Sequence, residues 1–227
     1  MAGDTGTTGS CAYCGRESGR GGMSRHLAAC EKRRAAVAAA DAQPGKRVPI
    51  VHLLVQDAWE GLYWLHLEMD GTAPLAELDD YLRVIWLECC EHLSEFSVGR
   101  RMGRPVGMSR TAAQVFVPGA VLTHTYDFGT SSTTSVRVVS VRQGRPTTRW
   151  PIALMARNAP LAATCQECGS PAGYLCTECL YDDDASGELC EAHAKSHPHD
   201  EYGDPMPIAN SPRTGMCGYS GPADPPY

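Results

Sequence analysis

The chain has 227 residues, 43% of them hydrophobic, and a formal net charge of −6, which supplies a sizeable core and excludes global disorder. Eleven cysteines exceed what an ordinary cytosolic domain of this size carries, and their odd number excludes complete pairing within one chain. Residues 1–47 hold eight Lys or Arg against four Asp or Glu, while residues 160–227 hold two against eleven, so a protein that coats nucleic acid along its whole surface is excluded.

Residues 1–10 show neither a basic start nor an apolar run. A cytoplasmic location with metal-bound thiolates is therefore expected in place of a secreted disulfide framework. No apolar stretch approaches the length of a bilayer span, so no membrane association is expected.

Cys11 and Cys14 form a C-x2-C pair, and His26 and Cys30 follow with three residues between them. Residues 24–40 predict one helix, with Ser24 as N-cap and alanine dominating the rest. His26 and Cys30 would then share a face at i,i+4 while the first pair occupies a glycine-rich turn. Four such ligands suit one tetrahedral zinc, which would supply folding energy to a segment with almost no core. Arg25, Lys32, Arg33 and Arg34 are candidate phosphate contacts, so nucleic-acid binding through this C2HC finger competes with a docking or stabilising role. Gln43-Pro44-Gly45 stops the helix and closes a first module at residues 1–47.

Residues 48–159 predict a central α+β domain. Residues 50–56 form a short apolar run, and residues 62–69 alternate, with Tyr63, Leu65, Leu67 and Met69 on one side and Trp64, His66 and Glu68 on the other. Asp70-Gly71 is a turn signal. Residues 75–96 then predict one long helix: Leu75, Leu78, Leu82, Ile85, Trp86, Cys89, Leu93 and Phe96 recur at spacings of three and four, with Pro74 at its first position. Asp79, Asp80, Arg83, Glu88, Glu91 and Glu95 are expected to face solvent, Asp79 pairing with Arg83 at i,i+4. Residues 98–110 read as an irregular connection and residues 109–114 as a helical turn. Residues 121–126 and 136–141 predict a hairpin, and residues 152–156 a further strand. The expected fold is one mostly antiparallel sheet covered by the long helix.

Two local patterns invite a catalytic reading. Asp127-Phe128-Gly129 spells a kinase metal-binding triplet, but no glycine-rich loop, strand lysine or catalytic-loop motif accompanies it, so a turn is expected. Cys89-Cys90 with His92 suggests a nucleophile and base, yet Cys89 falls on the apolar stripe and a packed thiol is expected. No catalytic residue is assigned. An enzyme whose site is assembled only by the fold remains an alternative.

Residues 160–227 carry the strongest signal. Cys165 and Cys168, Cys176 and Cys179, Cys190 and His193, and His197 and His199 form four ligand pairs, enough for two further four-coordinate zinc ions. Short links favour interleaving, with pairs one and three on one metal and two and four on the other. Sequential pairing is the alternative, as is replacement of His197 or His199 by Cys217. Asp182-Asp183-Asp184 reads as an exposed loop. With protein filling every position, the three zinc ions are expected to be structural.

The run Leu78-Asp79-Asp80-Tyr81-Leu82-Arg83-Val84-Ile85-Trp86-Leu87-Glu88-Cys89-Cys90-Glu91-His92-Leu93-Ser94-Glu95-Phe96 resembles the plasmid pRiA4b open-reading-frame-three-like family, whose relatives include insertion-element passengers and TnpR-like proteins. Pro118-Gly119, Tyr126-Asp127-Phe128-Gly129, Ala156-Arg157-Asn158-Ala159-Pro160 and Asn210-Ser211-Pro212-Arg213-Thr214-Gly215-Met216-Cys217-Gly218-Tyr219 extend the likeness over residues 48–220. Glu91 stands where relatives often have glycine, and His193 and His199 where cysteine is usual. The resemblance implies a compact α+β domain with a zinc-stabilised tail and brings no established reaction. The expected function is a non-catalytic, zinc-stabilised interaction protein, an accessory factor of mobile elements or defence that contacts a protein partner.

Overall fold

The computed structural model describes residues 6–88, 90–99, 103–181, 185–199 and 201–216. The chain opens with a short hairpin, β1 (Thr8–Cys11) and β2 (Glu17–Gly19), followed by α1 (Arg20–Ala29) and α2 (Glu31–Ala42). The central stretch contains β3 (Val48–Asp57), β4 (Trp64–Asp70), α3 (Leu75–Ile85), β5 (Ser94–Val98), β6 (Arg104–Val106), α4 (Ala112–Val115), β7 (Val121–Tyr126), β8 (Ser132–Gly144) and β9 (Ile152–Asn158). The tail holds β10 (Tyr174–Leu175), α5 (Thr177–Tyr181), β11 (Glu188–Leu189), α6 (Glu191–Ser196) and β12 (Met206–Pro207). Nine strands form one sheet in the order β2-β1-β9-β4-β3-β8-β7-β5-β6, antiparallel throughout, and β11-β10-β12 form a second.

Alternation along the central strands creates two buried faces. Val51, Leu53 and Val55 of β3 and Leu65, Leu67 and Met69 of β4 pack with Leu75, Leu78, Leu82 and Ile85 of α3. Leu54 and Trp64 point the other way, where Met23 and Leu27, one turn apart on α1, cover them together with Met155 and Ala156 of β9. The N-terminal segment thus extends the sheet through the pairing of β1 with β9 and roofs part of its second face.

Helix α3 has 11 residues and does not continue to Phe96. Trp86 caps it, Leu87 and Glu91 adopt left-handed backbone at φ 54° and 55°, and the chain returns as β5 with Phe96 paired to His124. Leu75, Leu78, Leu82, Ile85, Trp86 and Phe96 all reach the same core, but Phe96 arrives from a strand. Leu93 is 74% exposed, and Cys89 lies outside the described residues. The reversal is fixed by Arg83, which donates to Asp79 Oδ2 at 2.8 Å, to Ser94 Oγ at 2.8 Å and to the carbonyl of His92 at 3.0 Å. A periodic stripe cannot register this competition from strand pairing. The single helix expected over residues 24–40 is likewise divided, because Cys30 adopts extended backbone (φ −62°, ψ 116°), and Gly19 rather than Ser24 precedes the first half.

The Asp79–Arg83 pair forms, but Asp79 is buried, as its second oxygen meets His124 Nε2 at 2.7 Å. Burial opposes ionisation there, yet the hydrogen bonds from His124, Arg83 and Ser94 outweigh it and hold the carboxyl at about 2. Glu88 is also buried, accepts from Ser132 Oγ at 3.2 Å, and is pushed up by desolvation. Across this polar layer Arg213 is 1% exposed: it donates to Thr130 O at 3.0 Å, Ser132 Oγ at 3.3 Å and Asp127 Oδ2 at 3.4 Å, with its guanidinium 4.9 Å from the Tyr126 ring centroid. Asp127 itself makes the expected turn, accepting from Gly129 N at 2.9 Å.

On the opposite face His52 Nε2 lies 2.8 Å from His66 Nδ1 beneath the N-terminal helices. Burial lowers these rings to about 3 and about 4, so both are neutral in the folded chain near pH 6. The unfolded chain takes up protons below about pH 6.5, so their contribution to stability is complete above that pH and is lost as pH falls toward the folded values. Thermal unfolding from about pH 7 to pH 5 is expected to show a falling midpoint whose slope is shallower in His52→Gln/His66→Gln. Identical slopes in the two proteins would refute that linkage. For the other layer, Arg213→Met removes one partner of a buried ion pair and is expected to lower the unfolding free energy by about 3–5 kcal/mol, read by urea denaturation. A loss below about 1 kcal/mol would show that the guanidinium is dispensable there.

Candidate metal centres

Three groups of four side chains each bring their ligand atoms within 4.8 Å of one another: Cys11, Cys14, His26 and Cys30; Cys165, Cys168, Cys190 and His193; Cys176, Cys179, His197 and His199. All twelve are the residues singled out by spacing, and the two tail groups are interleaved. Cys217 and Asp182, Asp183 and Asp184 lie outside the described residues.

The first group is held by a knuckle and a helix. Gly15 donates to Cys11 O at 2.8 Å and Cys11 to Arg16 O at 3.0 Å, folding the chain so that both thiols of the C-x2-C pair face α1. Gly15 takes φ 74°, which glycine adopts without a Cβ clash. His26 Nε2 stands 3.2 Å from Cys14 Sγ. Cys30 does not share a helix with His26 at i,i+4; the break between α1 and α2 carries it into the cluster. Cys11 and Cys30 are buried. Arg16's backbone N–H is the largest influence on the Cys14 thiol and lowers it, with Lys32's charge adding to the effect, whereas burial raises Cys11.

The second group repeats the knuckle. Gly169 donates to Cys165 O at 2.8 Å and Cys165 to Ser170 O at 2.7 Å, while Cys190 and His193 open α6. His193 Nδ1 is 3.4 Å from Cys165 Sγ and from Cys190 Sγ, and Cys168 Sγ is 3.9 Å from Cys190 Sγ. Desolvation raises the Cys165 thiol, but backbone N–H groups of Cys190, Glu167 and Cys168 and the His193 ring overcome it, giving about 6. That environment favours thiolate, the form that binds a metal.

In the third group Cys179 Sγ lies 3.2 Å from His197 Nε2 and 3.3 Å from His199 Nδ1, and Cys176 Sγ lies 3.8 Å from His199 Nδ1. Glu178 Oε1 faces the other nitrogen of His199 at 4.0 Å, in the position of an outer partner. Pairing of β10 with β11 draws the two groups together, and Gly187 is needed there: a Cβ would stand 2.3 Å from Cys176 O.

These distances test the fit. Metal–sulfur and metal–nitrogen bonds of about 2.3 and 2.0 Å at tetrahedral angles require ligand–ligand edges of about 3.3–3.8 Å. The closest ligand pairs stand 3.2–3.9 Å apart, about that range, and every pair within a group lies within 4.8 Å. Each group could hold a metal ion such as zinc, with four protein donors completing a tetrahedron.

The four candidate phosphate contacts divide. Arg25, Lys32 and Arg34 are exposed. Arg33 is turned inward, donating to Leu27 O at 3.2 Å and lying 3.7 Å from Glu68 Oε2 on the covered sheet face, because that buried carboxylate demands a cation. Arg16, which spacing did not single out, joins Arg25 and Lys32 at one groove beside the first group. Asn158 and Asn210 exchange amide hydrogen bonds at 2.7 and 2.9 Å, and Ser211 donates to Trp86 O at 2.5 Å, so the segment after β12 ties the tail to the large sheet. Among the described residues no helix is long and apolar enough to cross a membrane.

Replacing Cys14, Cys168 or Cys179 singly by Ser is expected to remove one bound ion each in native mass spectrometry. Loss of two ions from either tail variant would show that the two tail groups fold as one unit; no loss from a variant would strike its cysteine from the ligand set.

No family model and no curated protein matches the chain. Among solved structures it is similar to a protein of unknown function, MM3350 from Methanosarcina mazei Go1, at 16% identity and a TM-score of 0.41 over 56% of this chain and 76% of that one. The chain is a mixed α+β protein with a large antiparallel sheet and three Cys/His groups compatible with metal binding.

Proposed function

We propose that this chain is a non-catalytic interaction protein stabilised by three structural zinc ions, working as an accessory factor of mobile elements or defence. The observation that carries the reading is closure: each group offers four protein donors, and a tetrahedral ion so held has no position left for substrate or hydrolytic water. Mixed thiolate and imidazole sets suit zinc better than hard cations, which select oxygen. The mobile-element and defence association rests on the resemblance to the pRiA4b open-reading-frame-three-like family.

Protein contact is favoured by the face of β7 and β8 that carries Thr123 and Ser135. There Trp59, 77% exposed, and Val121, 44% exposed, border an open groove of about 640 Å³ with Thr123, Thr133 and Ser135. An exposed tryptophan over a β-rich groove is typical of an interface anchor.

Native mass spectrometry of the chain purified without added metal is expected to give three zinc ions. One or none would overturn the metal assignment. Affinity capture from the source cells with wild-type protein and with Trp59→Asp/Val121→Asp should recover a partner that the variant loses; the same set of proteins with both would overturn the docking face.

A further inference from the structure

The concavity beside the first metal group is not explained by docking at the sheet. Arg16, Arg25 and Lys32 border an open groove of about 660 Å³ between the β1–β2 hairpin and α1, with Cys14, His26 and Cys30 at its floor and the Ser18 hydroxyl on one side. All three cations are exposed, and none has an acidic partner within 4.0 Å among the described residues. Elsewhere on this segment cations are used internally: Arg33 faces Glu68, and Arg47 faces Asp41. Arg34 and Lys46 have no ion pair either among the described residues, so the feature particular to Arg16, Arg25 and Lys32 is that they share one groove.

Local charge restricts the ligand. Three thiolates around a divalent ion leave one net negative charge at the floor, and Glu31 adds another at the edge. A compact anion entering the groove would meet that floor. An extended polyanion lying across the rim meets Arg16, Arg25 and Lys32 at separate points and avoids it. A duplex is too bulky to enter the groove, whereas a single strand can keep its phosphates at the rim and turn its uncharged bases into the space above the floor. Its lining contains no Phe, Tyr or Trp, and the His26 ring belongs to the metal group, so a platform for base stacking and sequence readout is missing from it. Residues 1–47 carry eight Lys or Arg against four Asp or Glu, so the segment that forms the groove attracts a polyanion.

We infer that this groove is a sequence-independent binding site for the phosphodiester backbone of single-stranded nucleic acid, held at its rim by Arg16, Arg25 and Lys32. The site is separate from the protein-docking face, so the chain would join a strand to a protein partner.

Fluorescence anisotropy with the full zinc-loaded chain and a labelled oligothymidylate of roughly twelve nucleotides tests this. Binding is expected at low salt, with an affinity that falls as salt rises. Arg16→Gln/Arg25→Gln/Lys32→Gln should weaken it at least about tenfold and remove about two units from the slope of log affinity against log salt, at an unchanged zinc count. A charge-matched control, Arg104→Gln/Arg110→Gln/Arg149→Gln, should bind like wild type. Absence of binding, equal losses in the two triple variants, or displacement by polyglutamate as effective as by unlabelled strand would each overturn the site. Tighter binding to a duplex of the same length would overturn the single-strand assignment. None of these outcomes depends on partner capture through Trp59, so the two readings fail separately.

Discussion

Burial of the β3–β4 pair on both faces is the constraint from which the rest follows. One face is closed by α3, whose leucines bring enough apolar surface to pack unaided. The other is closed by α1, which contributes Met23 and Leu27 and little else. At about 1.5–3 kcal/mol gross for each large side chain, two residues cannot hold a ten-residue helix in place against its conformational entropy. Coordination by Cys11, Cys14, His26 and Cys30 would supply what packing does not. The metal group then acts as part of the core, because the atoms that hold the finger's shape also keep Leu54 and Trp64 dry.

The tail is joined to the sheet by polar contacts. Asn210, Ser211 and Arg213 follow the last strand of the tail and insert into the large domain between Asn158, Trp86 and Asp127. Arg213 is the costliest of these to desolvate, and it is surrounded by acceptors and an aromatic ring that repay the cost. Such contacts are directional, so they fix the tail's placement more tightly than a greasy interface of equal size would.

Residue spacing revealed the metal groups because coordination chemistry imposes it: a C-x2-C pair closes a knuckle around one ion whatever surrounds it. The two faces of β4 and the hairpin of β7 and β8 were also legible, since period-two patterning and turn chemistry are local. Other features depend on distant partners. The apolar stripe beyond Ile85 looked helical, but Phe96 pairs with His124 on β7, and Arg83 locks the reversal. Asp79 appeared to be a solvent-facing partner of Arg83 until His124 came within reach of it. Arg33 resembled its basic neighbours, and only the buried Glu68 on β4 distinguishes it. Spacing alone puts Cys30 on one helix with His26, whereas the chain breaks at that residue and brings it to Cys11 and Cys14.

The large sheet ends on both sides in strands of three residues, β2 and β6, the latter containing Pro105 beside Arg104. So few unpaired main-chain groups give an incoming strand little to zip onto, and a proline with a charged neighbour interrupts even those. Lateral growth of the sheet into fibres or swapped oligomers is thereby discouraged, and an incoming molecule is steered to the broad surfaces of the sheet, away from its rims.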